Sequence, residues 1–133
     1  MFWSLLMACN GQPKTLPEKP DIVVVVVDTL RADHLGVYGH RRPTSPYMDA
    51  LAGQGTWFHR AYAASGWTLP SMTTLLSGLY PHQHLVGRLA FRGTEFGKLD
   101  PGVTTLPEAL KMRGYATGAV VNNTFMAPAF GID

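Results

Sequence analysis

The chain has 133 residues, of which 46% are hydrophobic and 15% are charged, and its formal net charge is +2. This length allows one domain at most, and the hydrophobic fraction is that of a folded protein rather than of a disordered one. The small net charge argues against a nucleic-acid partner, because nucleic-acid-binding proteins concentrate Lys and Arg on one surface.

The N-terminal residues resemble a lipoprotein signal that is clipped at its start. Cys9 is the single cysteine, so an internal disulfide is excluded, and it follows Ala8 at the end of a short apolar stretch. A small residue directly before a cysteine is typical of bacterial lipoproteins, in which the cysteine is lipidated. The stretch is too short to span a bilayer, which needs about 20 apolar residues, and it lacks the basic residues that open a signal peptide.

These features predict three parts of the chain. We interpret residues 1–9 as a clipped lipoprotein signal with lipidation at Cys9, residues 10–19 as a tether, and residues 20–133 as the domain. An untargeted N-terminal tail is the alternative. The lipoprotein interpretation places the protein in the bacterial periplasm or cell envelope, anchored to the membrane by lipid.

The rest of the chain alternates between strand and helix signals, which predicts an α/β fold with a mostly parallel sheet flanked by helices. The unbroken β-branched run at residues 22–27 is predicted as a strand buried on both faces. Residues 115–121 are predicted as a second buried strand, and residues 58–64 as a short strand. Predicted helices begin at Ser45-Pro46, at Thr68 as N-cap, and at the capping box Thr105–Glu108; glycines 53 or 55, 78 and 114 end them. Residues 88–100 are predicted as a loop or ragged hairpin, closed by the turn Asp100-Pro101-Gly102.

Two side chains stand where such a fold performs chemistry. Asp28 closes the first predicted strand, and ligands of open α/β sheets bind beyond the carboxyl ends of the strands. Its carboxylate suits a hard cation such as Ca²⁺ or Mg²⁺, although it could equally cap the following turn. Thr68 opens a helix, whose free N–H groups and partial positive charge favour an anionic ester and a developing alkoxide. A plain N-cap threonine is the alternative for Thr68. His82 and His84 are predicted to lie in a loop, with a structural role rather than as metal ligands.

A series of segments in this order resembles the sulfatase family of the alkaline phosphatase superfamily. They are residues 20–33, 42–52, 55–62, 67–72, 75–84 and 106–117. The resemblance implies the N-terminal part of an alkaline-phosphatase-like fold, and hydrolysis of a small sulfate ester with a divalent metal, most simply Ca²⁺. It also implies that Asp28 is a metal ligand and that Thr68 occupies the position of the nucleophile.

The sequence departs from the family pattern at four places along the chain. Thr29 replaces a second aspartate, and Thr68 replaces the cysteine or serine that is oxidised to formylglycine. Met72 replaces an arginine and is expected to be a packing residue. Asn122 and Thr124 align with a lysine and a histidine that contact the sulfate. Asn122 is therefore the predicted substrate-binding residue, donating a neutral hydrogen bond, unless it merely caps the strand end.

These departures leave three functional hypotheses. The first is a metal-dependent sulfate-ester hydrolase. The second is a phosphodiesterase or phosphoethanolamine-type transferase that uses the Thr68 hydroxyl directly, with Zn²⁺, Mn²⁺ or Mg²⁺. The third is a catalytically inactive envelope lipoprotein or a broken gene product. Because the resemblance places the remaining metal ligands far downstream, we expect a truncated domain with exposed sheet edges that is partly unfolded or aggregates.

Overall fold

The computed structural model describes residues 18–87, 96–126 and 128–131. The predicted lipidation site Cys9 and most of the predicted tether therefore lie outside the described residues. So does most of the predicted loop between residues 88 and 100.

The described residues form helices and turns. The α-helices are α1 (Pro46–Ala52), α2 (Thr68–Ser77), α3 (Pro81–His84) and α4 (Leu106–Met112), and 3-10 turns form at Ala32–His34, Gly36–Tyr38, Thr124–Met126 and Pro128–Phe130. None of the described helices has the length and apolar character needed to cross a membrane.

Several local features were predicted correctly from neighbouring residues in the sequence. Gly78 ends α2 in the left-handed conformation, with φ 71°, as predicted. The capping box before α4 forms, with the Thr105 backbone N–H donating to Glu108 Oε2 at 2.7 Å. The predicted turn forms as well, since the Val103 N–H donates to the Asp100 carbonyl at 2.9 Å.

The predicted sheet is not confirmed. Within the described ranges no segment pairs as a strand, although residues 20–26 and 115–123 lack helix and turn as well. The valine-rich run, residues 22–27, was expected to be buried on both faces, and this expectation is wrong: its side chains are 48–83% exposed. Val120 is also fully exposed. A strand is buried on both faces only where neighbouring strands pair with it and helices cover it, and no described segment does either.

The core is small and lies beneath the first turn of α2. Leu69 is fully buried and packs with Val86 and Leu99. Partly buried hydrophobic side chains surround these three, namely Leu76, Phe96, Val103, Phe125, Met126 and Phe130. Thr73, one turn after Leu69, is buried too and donates its hydroxyl to the Leu69 carbonyl at 2.8 Å. The core therefore fixes the end of α2 that begins with Thr68.

A second polar network attaches α1 to the 3-10 turn Gly36–Tyr38. The Asp49 carboxylate accepts the Val37 N–H at 2.8 Å and the Ser45 hydroxyl at 3.1 Å, and Ser45 Oγ accepts the Gly36 N–H at 2.9 Å. Ser45, the residue that precedes the helix, thus bonds across to the turn rather than capping its own helix. A Cβ atom on Gly36 would collide with the Asp49 carboxylate.

This network predicts that Gly36→Ala destabilises the protein by about 1–3 kcal/mol, the usual cost of forcing a methyl group into a packed site. The midpoint of urea denaturation measures this change. Gly118→Ala is the matched control, because nothing lies within 4 Å of a Cβ there and its φ is not positive. Its free energy of unfolding should stay within about 0.5 kcal/mol of the wild-type value. Equal effects of the two substitutions would contradict the assigned role of the Asp49 network.

Candidate active site

Asp28 and Thr68, forty residues apart in the sequence, meet in the structure. The Thr68 hydroxyl lies 3.0 Å from Oδ1 and 2.9 Å from Oδ2 of Asp28, and it donates its single proton to this carboxylate. The structure therefore brings together the two residues that the sequence selected for chemistry.

The chain turns sharply just after Asp28. Thr29 has φ 56°, a left-handed conformation that is uncommon for any residue with a side chain and especially for a β-branched one. Such a conformation costs about 1–3 kcal/mol and is found preferentially at functional sites. The turn ends the extended valine run at Asp28.

Thr68 is the first residue of α2, and the extended residue Trp67 is the N-cap. The prediction that Thr68 is itself the N-cap is therefore displaced by one residue. Its hydroxyl donates a hydrogen bond to the Asp28 carboxylate, so it joins α2 to another segment instead of capping the helix. The side chain is half-buried at the helix N-terminus, where the dipole and free N–H groups attract anions.

Asn123 is the third member of the site. Its Nδ2 donates to Asp28 Oδ2 at 2.8 Å, while its Oδ1 accepts the Phe125 backbone N–H at 2.9 Å. This second bond fixes the orientation of the amide group, so that its donor end faces the carboxylate.

Sequence reasoning selected the neighbouring Asn122, which is exposed, and overlooked Asn123. A usable signal was present, because asparagine commonly accepts a hydrogen bond from the backbone N–H two residues later and so starts turns. Asn123 does this at the start of the 3-10 turn Thr124–Met126. The assignment of Asn122 to substrate binding remains a prediction.

The charge of Asp28 is stabilised by neutral donors. Among the described residues, Arg31 and Asp33 form an ion pair with each other, and no cationic side chain pairs with Asp28. A carboxylate offers about four acceptor positions, of which Thr68 and Asn123 each use one. Asp28 can therefore accept further positive charge.

The donor set fits a hard divalent cation in kind, because Asp28 and Thr68 present oxygen ligands. In the parts of the chain that the structure covers, no group of three or more His, Cys, Asp or Glu could hold a metal ion. Ca²⁺ takes six to eight oxygen ligands. The described residues would therefore supply one edge of a larger ligand set.

The two histidines after α2 differ in their environment. They lie in the short helix α3, so the prediction of a loop is wrong there. His84 is 7% exposed; its Nδ1 accepts the Val86 N–H at 3.0 Å, and its Nε2 lies 3.2 Å from the Thr74 hydroxyl. His82 is exposed and stacks on Tyr80. Both nitrogens of His84 are occupied within the fold.

Burial favours the neutral form of His84. It lowers the pKa of His84 below the ordinary value of 6.5, and a hydrogen bond to the Pro70 backbone acts in the opposite direction. The Val86 N–H requires a free electron pair on Nδ1, so a proton there would break that hydrogen bond.

Comparison with known proteins places residues 20–133 in the family Sulfatase. The chain is 38% identical over 111 residues to N-acetylgalactosamine-6-O-sulfatase of Bacteroides thetaiotaomicron, covering 84% of this chain and 21% of that protein. It is 32% identical to the steryl-sulfatase of Mus musculus, covering 87% of this chain and 20% of the relative. It is also 32% identical to arylsulfatase A of Bos taurus, covering 88% and 23%. The chain thus spans about a fifth of the length of these relatives. No solved structure matches it.

The environment of His84 predicts a pH-dependent stability. Because the folded-state pKa is below the unfolded-state value of about 6.5, the unfolded chain binds more protons in this range. The stabilising contribution is present above pH 6.5 and is lost as the pH falls through the folded-state pKa. Denaturation midpoints between about pH 7.5 and pH 5 should therefore fall more steeply for the wild type than for His84→Gln.

His82→Gln is the control for this experiment, because it removes an exposed histidine from the same short helix. It should keep the wild-type dependence on pH. If His84→Gln keeps that dependence too, protonation of His84 is not coupled to unfolding.

Proposed function

The chain belongs to the sulfatase family, and we propose that it carries the nucleophile and one metal ligand for metal-dependent hydrolysis of small sulfate esters. The hydrogen bond from Thr68 to Asp28 is the observation that supports this proposal most strongly. It joins the two predicted functional residues across forty residues of sequence, at the N-terminus of a helix.

Asp28 is placed to take the proton of the nucleophile. The Thr68 hydroxyl already donates to the carboxylate at 2.9–3.0 Å, within the range for general-base catalysis. As Oγ1 attacks, the bond from Oγ1 to sulfur forms, the bond from sulfur to the ester oxygen breaks, and the hydroxyl proton passes to Asp28. Asp28 then returns this proton to the leaving alkoxide, which departs as the alcohol. Water next cleaves the bond from sulfur to Thr68 Oγ1, which releases hydrogen sulfate and restores the hydroxyl.

The sulfate oxygens would meet neutral donors. The first turn of α2 offers backbone N–H groups, and Asn123 adds a side-chain amide beside Asp28. We propose that the exposed Asn122 adds a second amide. The family's lysine and histidine contacts are replaced by Asn122 and Thr124. A charge-assisted hydrogen bond contributes about 1.5–3 kcal/mol, against about 1 kcal/mol for a neutral one. Anion binding by these residues is correspondingly weaker.

A divalent cation would compensate for this loss. Sulfatases generally depend on a divalent metal, and the oxygen donors of Asp28 and Thr68 suit Ca²⁺ best. When bound, the cation would neutralise the ester oxygens and make the Thr68 hydroxyl easier to deprotonate. Zn²⁺, Mn²⁺ or Mg²⁺ would be expected if the substrate is a phosphate ester.

The cellular location follows from the N-terminus. We propose that the protein works in the bacterial periplasm or cell envelope, with Cys9 as a lipid anchor. The Ala8-Cys9 pair at the end of the apolar stretch supports this assignment.

A second candidate function is phosphodiester cleavage or phosphoethanolamine-type transfer. The unmodified Thr68 hydroxyl, held by Asp28, favours it, because a threonine can attack phosphorus directly. Thr29 and Met72, which replace a family aspartate and arginine, point in the same direction. A catalytically inactive anion-binding lipoprotein is the third candidate.

Both catalytic candidates predict that Thr68→Ala lowers kcat of the complete protein about 10³-fold or more, because the nucleophile is removed. Thr68→Ser should keep measurable turnover, because it retains the hydroxyl. Thr104→Ala is the control, an exposed threonine away from Asp28. Activity of Thr68→Ala within about tenfold of the wild type would show that another group is the nucleophile.

Turnover of an aryl sulfate and an aryl phosphodiester separates the candidates. We expect faster turnover of the sulfate by the complete protein, and loss of that activity after metal removal with a chelator. Faster turnover of the diester would select the second candidate. No turnover of either substrate, together with no bound metal, would select the inactive protein.

A further inference from the structure

We propose that Phe125 is a positioning residue for the candidate active site, acting through Asn123 and Trp67. Its backbone N–H fixes the Asn123 amide, and its ring packs against the residue directly before Thr68. This inference rests on the proposed function for its effect on catalysis, but not for its effect on the geometry of Asn123.

The segment that carries Asp28 does not hold this carboxylate in place by packing. The whole segment from Asp21 to Asp33 is exposed. Its carboxylate is held by one donor from α2 and one from the turn Thr124–Met126. The separation of those two donors therefore sets where the carboxylate lies.

An aromatic cluster sets that separation. The Trp67 ring lies edge-on to Phe125 with centroids 5.7 Å apart at 90°, and edge-on to Phe96 at 5.5 Å and 60°. Phe96 and Phe125 also meet edge to face, with centroids 6.3 Å apart. Pairs in this geometry attract each other beyond the apolar area they bury, and they define a preferred orientation. Trp67 thus links the N-terminus of α2 to the turn that carries Asn123.

The Gly87 backbone also lies close to Trp67. A Cβ atom on Gly87 would lie 2.9 Å from Cζ2 of Trp67 and 2.8 Å from Cδ of Pro70. Gly87 has φ +83°, so its backbone can approach the indole closely without a side chain between them. The indole therefore contacts the Gly87 backbone as well as the rings of Phe96 and Phe125.

Phe125 acts on both donors at once. It lies two positions after Asn123, whose Oδ1 accepts its N–H at 2.9 Å, and its ring contacts Trp67, which precedes Thr68. A change of the ring leaves the backbone N–H in place but releases the turn from α2. The Asn123 amide should then lose its fixed place against Asp28.

Phe125→Leu tests this inference, with Phe130→Leu as the matched control. Phe130 belongs to the same cluster, with its ring centroid 6.2 Å from that of Phe125, but among the described aromatic rings it meets Phe125 and not Trp67. Both substitutions remove one aromatic ring from the core, so they separate the contact with Trp67 from a general loss of packing.

The first readout needs no activity. The chain has three asparagines, at positions 10, 122 and 123, so ¹⁵N-asparagine labelling gives three side-chain amide pairs. Asn10→Ser and Asn122→Ser identify the Asn123 pair by elimination. We expect the Asn123 amide to exchange more slowly with solvent than that of the exposed Asn122, and to exchange several-fold faster in Phe125→Leu. Phe130→Leu should leave its exchange and chemical shift unchanged.

The second readout is turnover of the complete protein. Phe125→Leu should lower kcat about 10-fold, with KM within about twofold, because misplaced groups affect the transition state most. Phe130→Leu should lower kcat less than Phe125→Leu does. In an Asn123→Ala background, Phe125→Leu should lower kcat less than it does in the wild type, because one of its two routes to the site, the one through Asn123, is already removed.

Three results would overturn the inference. They are an Asn123 amide that exchanges as fast as Asn122, equal disturbance of that amide by both leucine substitutions, and additive losses of kcat in the double variant. Absence of turnover in the wild type would instead reject the proposed function, while the exchange measurement would still decide the role of Phe125.

Discussion

The candidate site depends on one carboxylate that is shared by two distant segments. Asp28 accepts hydrogen bonds from Thr68, forty residues later, and from Asn123, ninety-five residues later. A hydrogen bond to a charged group contributes about 1.5–3 kcal/mol at most, and less where water competes for both partners. Asp28 is exposed, so these bonds alone cannot hold three segments together. The arrangement requires that the two donors are already positioned, which the packing beneath α2 accomplishes.

Burial of apolar side chains would stabilise this site more than the hydrogen bonds to Asp28 do. The residues 22–27 that lead to Asp28 are all aliphatic, and full burial of such a side chain contributes about 1.5–3 kcal/mol each. Their exposure of 48–83% means that the described residues gain little of this energy. The donors at Thr68 and Asn123 are supported by Leu69 and by the aromatic cluster, whereas the acceptor is carried by an uncovered segment. Packing therefore supports the positions of the donors Thr68 and Asn123 better than the position of the acceptor Asp28.

The sequence predicted those features that depend on neighbouring residues. Pro46, Gly78 and the Thr105–Glu108 capping box place helix ends through contacts within one turn, and these ends were predicted correctly. The expected strands were not confirmed, because a β-branched run becomes a buried strand only when remote segments pair with it and cover it.

Asn123 was missed for a different reason. In an extended chain successive side chains point to opposite faces, so an error of one residue selects the wrong asparagine. Which of two adjacent asparagines faces Asp28 is decided by the bond from the Phe125 N–H, and that bond depends on the turn Thr124–Met126. Asp28 and Thr68 were each selected with the help of family resemblance, whereas the aromatic cluster near them involves Phe96 and Phe125, which no motif marked.

Charge decides which esters this site can accept, but not between its two catalytic candidates. Two like charges 4 Å apart repel by about 4 kcal/mol at an effective dielectric constant of 20, so a dianionic phosphate monoester would be opposed by Asp28 about twice as strongly as a monoanion. Sulfate monoesters and phosphodiesters are both monoanionic and tetrahedral, and the neutral donors at the α2 N-terminus and on Asn123 would serve either. The distinction must therefore come from the nucleophile. A threonine hydroxyl forms a covalent ester that water has to cleave in a second step, and the rate of that step, rather than binding, would separate sulfur from phosphorus at Thr68.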